Sequence, residues 1–203
     1  MQLFSRANMT AALLTSVITL GSGVSLAQED TVEVKIPENS VLSDGVISKK
    51  EMAKYLVIGN KQLAYLAENA TEQYAPELQG SGQAMPSAWM LMSDGETVKK
   101  LSLDGEAEGA PPQIRIVMFR AALKSIARRG KINAAVILYA GKVSEDNPQE
   151  VLVLEHEHRL GISATKIVPF EVEGGKVKYA QAVTKDKPFQ MFYDDKGQAP
   201  SAS

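Results

Sequence analysis

The chain reads as an α+β domain: a curved antiparallel β-sheet, made of a hairpin plus a meander of four to five strands, with two helices packed on one face. Three observations predict this. Apolar residues step by three and four in two segments, whereas elsewhere they alternate or run unbroken. The helical segments are not interleaved one by one with strands, which separates α+β from α/β. The links at 159–161 and 173–176 are too short for a crossover and force antiparallel pairing.

Taken in order, Val32, Val34 and Ile36 alternate with polar residues and form a short half-buried strand that Pro37 ends. Ser48 and Glu51 make a capping box. From there Met52, Tyr55, Leu56, Gly59, Leu63, Leu66, Ala67 and Ala70 mark one apolar helix face running to about Asn69, with Gly59 permitting a close contact. Residues 69–83 give a short helical extension and then a loop. Segments 87–93 and 97–103 flank Asp94-Gly95 and read as a hairpin anchored by Trp89, the one tryptophan.

The acidic stretch 104–110 lacks calcium-loop ligand spacing and reads as a solvated connector. Pro111 and Pro112 open the second helix. Ile114, Val117, Met118, Ala121, Leu123, Ile126 and Ala127 are its expected apolar face. Lys124, Arg128 and Arg129 match the dipole near its C-terminus, and Gly130 stops it. Residues 132–139 are apolar on both faces, as a central strand requires. Strands at 150–158, 162–172 and 177–183 follow, with a glycine turn at 173–176 and a short last strand at 189–193. Residues 194–203 are a polar, disordered tail. This order is similar to that of cone-shaped α+β binding folds, in which helices close over a curved sheet and leave a pocket.

Residues 1–27 read as a secretory signal peptide. Arg6 supplies the positive start, residues 11–20 the apolar stretch, and Ser25-Leu26-Ala27 a small-residue cleavage site. The apolar stretch is about half of the ~20 residues a spanning helix needs, so no membrane anchor is expected after cleavage. The expected location is the periplasm or outside the cell, with residues 28–193 as one α+β domain.

Of 203 residues, 22 are basic and 24 acidic; removing residues 1–27 takes one basic residue and leaves a net charge of −3. That balance argues against a nucleic-acid partner, which demands a broad positive field. With no cysteine, disulfides, thiolate ligands and a cysteine nucleophile are excluded.

The two histidines stand together in Glu155-His156-Glu157-His158. On a strand His156 and His158 share one face and the two glutamates the other. The imidazoles could therefore converge on zinc or another divalent metal, with carboxylates such as Glu171 or Glu173 completing the ligands. Alternatively they titrate at about pH 6–7 as a pH-sensitive contact. The plainer expectation is a strand whose two faces both turn polar as it leaves the core. Met90 and Met92 share a face near Trp89, where core packing explains them better than a soft-metal site.

No nucleophile elbow, zinc-protease helix, phosphate loop or dinucleotide fingerprint occurs. The sequence therefore favours a non-enzymatic exported binding or interaction protein, with a small apolar ligand or an envelope protein as partner. The alternative is a periplasmic metal-binding protein or metal-dependent enzyme using His156 and His158.

Overall fold

The computed structural model describes residues 49–193 apart from 81–83, 104 and 106–108. The signal peptide expected at 1–27, the strand expected at 31–36, Ser48 of the expected capping box and the expected tail lie outside the described residues, as does most of the acidic connector.

Helix α1 (Lys49–Gln79) is longer than its first apolar face predicts. The three-and-four stepping continues through Ala70, Tyr74 and Leu78, all buried, so each added turn finds something to pack on. Pro76 falls inside the helix one turn from its end, where only a single ladder bond is lost. The hairpin is β1 (Ser87–Met92) and β2 (Val98–Leu101). Its turn is built by Asp94, whose Oδ1 accepts from the backbone N–H groups of Glu96 and Thr97, and by Gly95 at φ +78°.

Helix α2 (Pro112–Arg128) starts at the tandem prolines and ends before Gly130, which adopts φ +65°. Its buried face differs from the one expected. Phe119 and Leu123 are buried, and Ile116, Ile126 and Ala127 flank them. Ile114 and Val117 instead point outward, each more than half exposed.

Strands β3 (Ile132–Lys142), β4 (Glu150–His158) and β5 (Ile162–Glu173) form the meander, continued by β6 (Lys176–Tyr179) and β7 (Val183–Asp186). The order across the sheet is β2-β1-β3-β4-β5-β6, with β7 also on β5, and every pairing is antiparallel. The α+β class, the hairpin and the meander are as the sequence predicts.

The placement of the helices is not. α1 packs with Trp89, Leu91, Ala134, Val136, Leu138, Leu152 and Leu154, whereas α2 packs with Ala88, Ala135 and Ile137. Even and odd positions of β3 face opposite ways, so the helices lie on opposite faces of the sheet rather than on one. The physical reason is in β3 itself. Its residues Ile132 and Ala134 to Leu138 are all buried, and an apolar strand needs cover on both sides.

The strand expected at 177–183 is split. Pro169 offers no N–H to the ladder, and its carbonyl instead accepts from Ala180 N–H at 2.8 Å. β6 therefore stops at the Phe170–Tyr179 pair, and β7 resumes at Ile167–Val183. Residues 189–193 are not a strand; they form an irregular turn pinned to the sheet.

Candidate functional site

Strand β4 carries the polar chemistry of the molecule on both faces, deep inside rather than at a solvated edge. On the α2 side, the Glu155 carboxylate is 4% exposed. Arg120 of α2 grips it with two bonds, Nε at 3.0 Å and Nη2 at 2.6 Å, and the Tyr139 hydroxyl donates a third at 2.9 Å. Burial, then the carboxylate beside it, push the Tyr139 hydroxyl far above the ordinary phenol range.

Two residues on, Glu157 is fully buried. It accepts from the backbone N–H groups of Gln190, Met191 and Phe192 at 2.7 to 2.9 Å and pairs with Lys187. Three otherwise orphaned amides and one ammonium are satisfied by a single carboxylate. This bond set fastens residues 187–193 over the sheet, and Met191 fills the core beside Phe119.

The histidines share the α1 face, as the alternation predicts. His158 is 1% exposed. Its Nδ1 accepts from Leu160 N–H at 3.0 Å, which leaves the proton on Nε2, donated to Gln62 Oε1 of α1 at 2.8 Å. Both ring nitrogens are thus engaged, and a metal at this ring would have to displace one of the bonds. Among the described residues no three histidine or acidic side chains come together as a metal-binding group.

Glu171 and Glu173 are at the far end of β5. His156 faces Ala164 across the ladder, and seven residues of strand separate Ala164 from Glu171 by about 23 Å. Nor does the pair titrate near neutrality. Burial, then Lys166 and Lys187, bring His156 down to about 4. Burial, then Arg159, bring His158 to the same value.

Beyond the histidines on this face, α1 and the sheet part. Ala64, Ala67, Thr71 and Ala75 form a small-residue side of α1, and Leu152, Leu154 and Val168 form the floor opposite. Small side chains cannot bridge the gap, so a groove of about 500 Å³ remains, with Tyr179 and Ala182 also in its lining. Its lining is mainly apolar; the charged residues are Glu68 and Glu72 on the helix and Lys166 on the sheet. A volume in this range, apolar with few polar groups, suits a small molecule.

No known protein family, curated protein or solved structure matches the chain. The remaining motifs resolve locally. Met90 and Met92 pack against the α2 cluster. Arg128 lies in the last turn of α2, as dipole matching predicts. Element order suggests a pocket between helix and sheet, but which residues line it is what sequence reasoning missed. Its trace in the sequence is the alanine-rich series Ala64, Ala67, Thr71 and Ala75 beside the bulky series Leu63, Leu66 and Tyr74.

Proposed function

We propose that the protein is an exported, non-enzymatic binding protein that holds a small apolar ligand in the groove between α1 and strands β4 and β5. The observation that carries this reading is the groove itself: about 500 Å³ of apolar concavity with charged residues among its lining. The buried carboxylates support the non-enzymatic part, because Glu155 and Glu157 are committed to Arg120, Tyr139, Lys187 and the 190–192 amides. A metal-centred role has less support, since His158 spends both ring nitrogens on Leu160 and Gln62. Export rests on residues 1–27, and native protein beginning at Gln28 is the result that reading expects.

The direct test uses a neutral phenylnaphthylamine fluorophore, which brightens in apolar surroundings. The protein should enhance its emission saturably, and Ala64→Phe, which places a ring at the exposed rim of the groove on α1, should abolish the enhancement while leaving the unfolding midpoint unchanged. Equal enhancement by wild type and Ala64→Phe would remove the groove as the binding site.

A further inference from the structure

Lys166 is the unusual member of the groove. It sits mid-strand on β5, cross-strand from Leu154, with Ala164 and Val168 as its same-face neighbours. Its ammonium pairs with no carboxylate among the described residues. A half-buried cation on an apolar floor forgoes part of its hydration without a counter-charge in return. Glu68 and Glu72 are ordinary by contrast. They are solvent-exposed on a helix, where water and salt screen them. His156, the titratable ring next to Lys166, is neutral at physiological pH, so the Lys166 charge stands alone on the floor.

The lining residues of α1 run from Ala64 to Ala75, eleven steps or about 16 Å of helix. The groove is thus lined along that length of helix, with Lys166 among the residues on the sheet side.

We infer that the groove takes a single-chain carboxylate amphiphile, its head group on Lys166 Nζ and its alkyl tail along Leu152, Val168 and Tyr179. This rests on the groove reading above and adds the charge and shape of the ligand. The carboxylate supplies the counter-charge that Lys166 lacks, and the tail displaces poorly held water from the apolar floor.

The test compares dodecanoate, dodecanol and dodecylammonium, each below its micelle concentration near neutral pH, as displacers of the neutral fluorophore. Wild type should bind dodecanoate about tenfold or more tighter than dodecanol, the worth of one charge-assisted bond. In Lys166→Met, which keeps the length of the side chain and drops the charge, that preference should fall to about unity. If dodecanol binds as well as dodecanoate, if the preference survives in Lys166→Met, or if dodecylammonium binds tightest, the head-group inference is wrong and the apolar groove still stands. If none of the three displaces the fluorophore, both readings fall.

Discussion

Strands β4 and β5 are covered differently on their two faces. On the α2 side two carboxylates, Glu155 and Glu157, are buried, and every approach to them is filled by Arg120, Tyr139, Lys187 and the turn at 190–192. On the α1 side, beyond His156 and His158, the strand is apolar at Leu152 and Leu154, yet the helix stands off and leaves a groove over them. The usual economy would be the reverse, with apolar surface closed and charge left wet. The charged face is closed because a buried carboxylate must be fully partnered to be tolerated. The apolar face can stay open because an unfilled groove forfeits only dispersion contacts and burial. The contrast separates structural polarity from a surface free to bind.

Glu157→Ala should break the closed face with the largest effect. It strands three amides and the Lys187 ammonium, and a loss of about 3–5 kcal/mol is expected by urea unfolding. Protease cleavage within 187–193 should rise in parallel, and a loss under about 1 kcal/mol would show that the turn is held by other contacts.

Counted per ring, the effect of acid on the histidines comes next. Their folded values lie at about 4, below the ordinary 6.5. A depressed histidine leaves the unfolded chain binding more protons between those limits, so stability is complete above pH 6.5 and falls as pH drops toward 4. Each ring contributes on the order of 3 kcal/mol across that window. In His156→Phe/His158→Gln the slope of stability against pH between 6.5 and 4 should flatten; an unchanged slope would assign it to other groups.

The smallest expected effect is at Gly59, where the first turns of α1 approach β5. A Cβ there would lie 2.6 Å from Ile162 Cδ1 and 3.4 Å from His158 Nδ1. Gly59→Ala gains about 1 kcal/mol of helix propensity and spends it moving the Ile162 methyl. It should be near neutral or slightly destabilising alone, and stabilising by up to about 1 kcal/mol in an Ile162→Val background. The same sign in both backgrounds would mean that the contact is not what limits the site.

Much of this architecture was legible in the residues. An unbroken apolar run placed β3, the short links placed β4 and β5 in an antiparallel meander, Asp94-Gly95 placed the hairpin, and the spacing of His156 and His158 put them on one face. Gly59 stood out as a point of close approach. What escaped is what depends on distant parts of the chain. The partners of Glu155 and Glu157 lie 16 to 35 residues away in sequence, and no local period announces them. The strand therefore looked as if it emerged into water, when both faces are covered. The doubly apolar β3 already demanded two covers, and it was the best available sign that the helices flank the sheet. The place and lining of the groove escaped because they depend on the distance between two elements, which side-chain size shapes but does not set.

The central claim is that the α1 face binds and the α2 face holds. Amide chemical shifts of isotopically labelled protein titrated with dodecanol test it most directly. The account predicts saturable shifts confined to residues 64–75 of α1, Leu152, Leu154, Lys166, Val168 and 179–182, with the amides of 187–193 unmoved. Shifts centred on α2 and the 187–193 turn, or none on either face, would contradict it.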